Sequence, residues 1–86
     1  FPNAREVDQV QVRGRSQPVR LYELIPQARY AAMDWLEEYR AAYARMRAGD
    51  TAAAAQAFAA LAARTGDKAS AYHASNCRQK LGSGPN

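Results

Sequence analysis

The chain has 86 residues, a net charge of +4 from 12 basic and 8 acidic side chains, and a 48% hydrophobic composition, much of it alanine. A chain this size makes one small domain that buries roughly 60–65% of its unfolded surface, and with so few large apolar side chains its core is thin. A single cysteine excludes an internal disulfide framework, no apolar run approaches the roughly 20 residues of a membrane span, and the arginines are scattered from Arg5 to Arg78 rather than clustered into the basic face of a nucleic-acid binder.

The stretch from Phe1 to Val10 lacks the apolar segment of a signal peptide. A cytoplasmic location is expected, with no nucleic acid and no direct membrane contact. The chain starts at Phe1, close to a strand, so a piece of a longer protein is the simpler expectation, and any membrane anchor of that parent would lie upstream.

Residues 1–5 read as a loose lead-in. From Glu6 to Leu24 the pattern is that of a β-hairpin. Val10 and Val12 alternate with Gln9, Gln11 and Arg13, the period of two of a half-buried strand, and Val19 and Leu21 alternate with Arg20 and Tyr22. Gly14 to Pro18 supplies the turn. Val7 falls out of phase with Val10, which predicts a bulge near Asp8. A hairpin alone is marginal in water, so it must belong to a larger sheet or lie against the helices that follow. Cover by those helices is the expectation.

Ile25-Pro26 ends the hairpin, and the rest reads as three antiparallel helices. The first should span about 27–48, with Trp35, Tyr39, Ala42 and Met46 in a stripe that Met33, Leu36 and Tyr43 widen. Gly49 is a left-handed stop and Asp50 the cap of a second helix over about 51–64, whose ridge is Ala54, Phe58 and Leu61. Gly66-Asp67 repeats that punctuation before a third helix over about 68–81, with Ala69, Tyr72, His73, Asn76, Cys77 and Leu81 on one side. Ala42, Gly49, Asp50, Ala54 and Phe58 resemble the spacing of one tetratricopeptide helix pair, too few for an array. The expected fold is α+β, mainly α: residues 1–26 a β-hairpin, 27–82 a tetratricopeptide-like helical hairpin plus one helix, and 83–86 a disordered tail.

Several residues invite a chemical reading. His73 and Cys77 are four apart on one helix, but a structural zinc wants four ligands and the chain has no other His or Cys. A packed imidazole beside a buried thiol is expected, and no metal site. Asp50 and Asp67 each follow a glycine at a helix start, so capping accounts for both. Trp35, Tyr39 and Tyr43 at helical spacing read first as core. Since one helix pair seldom buries three large rings, they are also the candidate interaction surface.

Glu6, Asp8, Val10, Val12, Arg13, Gly14, Arg15, Pro18, Val19, Tyr22 and Glu23 carry a resemblance. Their order is similar to the Asp-x-Val-x-Val-Lys/Arg-Gly-Lys/Arg-x-x-x-Pro-Val-x-x-Tyr-Glu hairpin at the C-terminal end of the class III nucleotidyl cyclase catalytic domain. The helices resemble an extension that follows this domain in many bacterial cyclases, with a Trp and tyrosines, a Gly-Asp break, an Ala…Phe ridge and an Asp-initiated helix with a Cys near its end. The resemblance covers roughly residues 5–81. It implies the C-terminal fragment of an enzyme that turns ATP into cyclic AMP and pyrophosphate, a structural or regulatory accessory region with no catalysis of its own. It further implies that the parent works as a homodimer with Mg or Mn, held by two aspartates upstream of Phe1, and that the fragment itself holds no cofactor. Its partners would be the rest of the catalytic domain and a second protomer. One family role has a matching position: the Lys that contacts the triphosphate corresponds to Arg13, and Arg for Lys is a departure, since a planar fork replaces a point charge. The alternative is a stand-alone helical protein–protein interaction module with no catalytic parent.

Overall fold

A computed structural model describes residues 3–82. It is mainly helical, with an N-terminal antiparallel hairpin: β1 (Ala4–Val10), β2 (Val19–Leu24), α1 (Gln27–Ala32), α2 (Leu36–Arg47), α3 (Thr51–Thr65) and α4 (Lys68–Gly82). This is the α+β, mainly α class expected. The chain divides after Asp34 into two compact units. The tail expected over 83–86 and the first two residues of the lead-in lie outside the described residues.

In the first unit Ala4, Arg5 and Glu6 pair with Leu24, Glu23 and Tyr22, and Asp8, Gln9 and Val10 pair with Leu21, Arg20 and Val19. The register shifts between Glu6 and Asp8, leaving Val7 as the extra residue. The out-of-phase valine is a bulge, as its spacing predicts. The lead-in is shorter than expected: Ala4 and Arg5 already belong to β1, and the Asn3 carbonyl accepts the Ile25 amide at 2.7 Å. At the other end β1 stops at Val10 rather than running through Val12. The Val12 carbonyl instead accepts the Arg15 amide at 3.1 Å, so residues 12–15 form the tip turn.

The hairpin keeps much apolar surface in solvent. Val10, Val12, Leu21, Tyr22 and Leu24 are 37% to 59% exposed.

The helix expected over 27–48 is two helices. α1 ends where the Met33 amide turns back to the Tyr30 carbonyl at 3.1 Å and Met33 leaves the helical region at ψ 65°, and α2 starts after Trp35. Six residues are too few to hold a helix through its own hydrogen bonds, and α1 buries none of its side chains. Asp34, a poor helix former, lies between the two helices.

In the second unit α3 packs against both α2 and α4. α2 buries Leu36, Tyr39, Ala42 and Tyr43, and α3 buries Ala54, Ala55, Phe58 and Leu61. Trp35 and Met46, expected on the stripe, are half-buried. α4 departs further from expectation. Its buried face is Ser70, His73, Ala74 and Cys77, while Tyr72 and Leu81 are 56% and 50% exposed. Ser70 and Ala74 are small enough to lie against alanine-rich α3, and a tyrosine ring at that approach is not.

The glycine punctuation works as written. Gly49 has φ 91° and Gly66 φ 74°. After α2 the Gly49 amide bonds the Met46 carbonyl at 3.1 Å and the Asp50 amide the Arg45 carbonyl at 2.9 Å, a Schellman ending. After α3 the Gly66 amide alone turns back, to Ala62 at 2.9 Å.

Candidate functional site

Arg13 sits at the second position of the tip turn, followed by Gly14 at φ 85°. A positive φ at the third position, with every described non-glycine residue at negative φ, makes this a type II turn, which demands glycine there. Gln11 Nε2 braces the loop by donating to the Arg15 carbonyl at 2.9 Å. The turn holds Arg13 and Arg15 exposed, and among the described residues no carboxylate pairs with either. Residues 14–18 line an open concavity of about 490 Å³ beside them. From Gln9 to Tyr22 the chain carries Arg13, Arg15 and Arg20 and no acid. A guanidinium with its donors in water beside a glycine turn suits phosphate oxygens.

The structure separates the three aromatic candidates. Tyr39 is 1% exposed and Tyr43 7%, so neither presents a ring to a partner. Their place is the core, and only half-buried Trp35 keeps part of its surface in solvent. The rings centre on His73, which the sequence marks only as a packed imidazole. Phe58 lies 4.9 Å from it between centroids, Tyr43 5.5 Å and Tyr39 6.1 Å. The Tyr39 hydroxyl is 3.4 Å from His73 Nε2, linking α2 to α4 inside the cluster. No sequence signal finds this centre, because it draws its rings from three separate helices, Tyr39 and Tyr43 from α2, Phe58 from α3 and His73 from α4.

His73 and Cys77 are both 3% exposed. Among the described residues no group of three or more His, Cys, Asp and Glu side chains is placed to hold a metal. Burial pushes the Cys77 thiol above its ordinary value, and Lys80 nearby only partly offsets this. Such a thiol is a packing group rather than a nucleophile.

The two aspartates differ. Asp67 Oδ2 accepts the Ser70 amide at 3.0 Å and the Ser70 hydroxyl at 2.6 Å, an N-cap of α4 as expected. Asp50 precedes α3, but its side chain makes no cap hydrogen bond. Its amide is committed to the Schellman ending of α2, and its backbone stands at φ –83° and ψ 69°.

A charged trio in the first unit went unmarked in the sequence. Glu23 accepts Arg5 Nε at 2.7 Å and Arg29 Nη1 at 2.8 Å, one oxygen to each. Arg5 is 3% exposed. Burial works to raise the Glu23 carboxyl, but hydrogen bonds from Arg29 and Arg5 and their charges outweigh it and hold the group below its ordinary value.

No helix among the described residues is long and apolar enough to cross a membrane. Compared with protein-family models, with curated proteins and with solved structures, the chain matches none.

Proposed function

We propose that this chain is the C-terminal part of a class III nucleotidyl cyclase. The full-length parent would convert ATP to cyclic AMP and pyrophosphate, and this part would serve as a structural or regulatory accessory region. The observation that carries the reading is the tip turn: an exposed arginine, Arg13, set beside Gly14 in a type II turn with no carboxylate partner among the described residues. That is a cation free for a triphosphate, at the position where the resemblance calls for one. The two-stranded sheet with apolar side chains in solvent supports it as well, since a terminal hairpin of a larger catalytic sheet would bury them against its neighbours.

Arg13 would bind and orient the phosphates, neutralising charge as pyrophosphate leaves. The arginine fork delivers two donors where the family's lysine delivers one charge, which tightens orientation at the cost of reach. A divalent metal would activate the ribose hydroxyl and the leaving group. The described residues do not form such a site, so in this reading the metal-binding aspartates, the Mg or Mn and the purine-selecting groups belong to the rest of the catalytic domain and to a second protomer. The test is the parent itself, assayed with ATP and Mg or Mn. One cyclic AMP and one pyrophosphate per ATP is the expected outcome. A parent reading frame lacking two aspartates able to hold metal would end the cyclase reading.

A second reading has its own observation. Residues 35–82 bury an aromatic core of their own, with Phe58 0% and Tyr39 1% exposed. A helical interaction module needs no more than that. It predicts that residues 35–86 fold when produced alone and bind a protein partner in the absence of any cyclase.

A further inference from the structure

α1 is a helix with no means of support within itself. It has six residues, none of them buried, and its N-cap is Pro26, which offers no side-chain acceptor. Yet the chain must pass through it to leave the hairpin for the second unit. What holds it is polar. Glu23 on β2 takes Arg29 of α1 on Oε2 at 2.8 Å and Arg5 of β1 on Oε1 at 2.7 Å. Asn3 Nδ2 adds a hydrogen bond to Gln27 Oε1 at 2.6 Å. Ile25 before α1 and Met33 after it are buried, 4% and 6% exposed, and so fix its two ends without gripping its body.

We propose that Glu23 is a charge clamp on this connector: with Glu23 ionised and bridging Arg5 and Arg29, residues 27–32 are helical and fixed to the hairpin, and with that bridge broken they become a free hinge between two anchored ends. The other acids of the hairpin have contacts of their own. Glu6 is engaged by Gln9 Nε2 at 2.8 Å and faces Arg20 at 3.9 Å, paired with Tyr22 one rung from Glu23. Asp8 Oδ1 takes the Gln9 amide at 2.8 Å. Anything that competes for the Arg29 guanidinium, an anionic ligand or an acidic partner segment, would loosen the connector. This inference is independent of the cyclase reading and stands whatever the parent catalyses.

The test is amide hydrogen exchange on the whole chain, wild type against Glu23→Gln and Arg29→Gln. A charge-assisted hydrogen bond at a half-exposed site leads us to expect exchange over 27–32 faster by roughly three- to tenfold in both variants. Protection of the β1–β2 ladder and of α3 should be unchanged in Arg29→Gln, which leaves the Arg5–Glu23 pair intact. Unchanged exchange over 27–32 in Arg29→Gln overturns the clamp. So does an increase spread equally over the hairpin ladder, which would make the trio a general stabiliser of the fold rather than a hold on α1.

Discussion

Tyr39 of α2 and Phe58 of α3 meet edge to ring, 5.6 Å between centroids and inclined at 63°, with both side chains withdrawn from solvent. This contact joins the first two helices of the second unit, and His73 of α4 completes a triangle with the two rings, 4.9 Å from Phe58 and 6.1 Å from Tyr39. In a unit whose core holds few large side chains, one ring thus contacts two neighbouring helices. Phe58→Ala should destabilise the second unit by about 3–5 kcal/mol. Trp35→Ala, at a half-buried position, should cost less than Phe58→Ala. Urea melts followed by far-UV circular dichroism give both values, and a Trp35 cost equal to that of Phe58 would contradict the core described here.

The two aspartates offer a matched comparison. Asp67→Ala removes both bonds to Ser70 and should cost about 1–2 kcal/mol. Asp50→Ala removes no side-chain cap bond and should stay within about 0.5 kcal/mol of wild type. Thermal melts of the two single variants decide this, and equal losses would mean that Asp50 caps α3 after all.

These comparisons show where the sequence was readable. Val7 and Val10 cannot share a strand face without an extra residue between the registers, so the bulge was visible in spacing alone. Gly49 and Gly66 stop their helices because only glycine takes a positive φ without strain. The break between α1 and α2 was hidden, since Ala31, Ala32, Met33 and Leu36 keep helical periodicity through it and no glycine or proline marks it. The inner face of α4 was hidden for a different reason. Hydrophobic pattern points to Tyr72 and Leu81, whereas close approach to α3 selects small Ser70 and Ala74. At the candidate site, Gly14 announced the turn that presents Arg13. The pairing of Arg5 with Glu23 emerges only once the bulge has set the register.

Glu23 gives the hairpin unit an acid sensitivity of definite sign. Its folded carboxyl titrates below the ordinary 4.5, so ionised Glu23 stabilises the folded unit at any pH above that value. The contribution fades as pH falls below 4.5 through the lower folded value. Protection of the α1 amides should therefore drop on acidification below pH 4.5, and by more than that of the β1–β2 ladder, and Glu23→Gln should flatten that part of the profile. A profile unchanged by Glu23→Gln would assign the acid response to other carboxylates.

Cys77 should be inert while the second unit is folded. It is 3% exposed and burial raises its thiol pKa. Alkylation by iodoacetamide at pH 8 should run at least about a hundredfold slower in the native chain than in denaturant, because reaction must wait for opening of α4. Rates that match in the two conditions would show that α4 does not bury this face.

The most direct test of the central claim is the ATP kinetics of the full-length parent carrying substitutions at Arg13. Loss of one charge-assisted contact to the triphosphate should lower kcat/KM in Arg13→Ala by roughly tenfold or more, and Arg13→Lys should recover a large part of it. Arg13→Ala kinetics equal to wild type would remove the tip turn from the active site, and with it the structural support for the cyclase assignment.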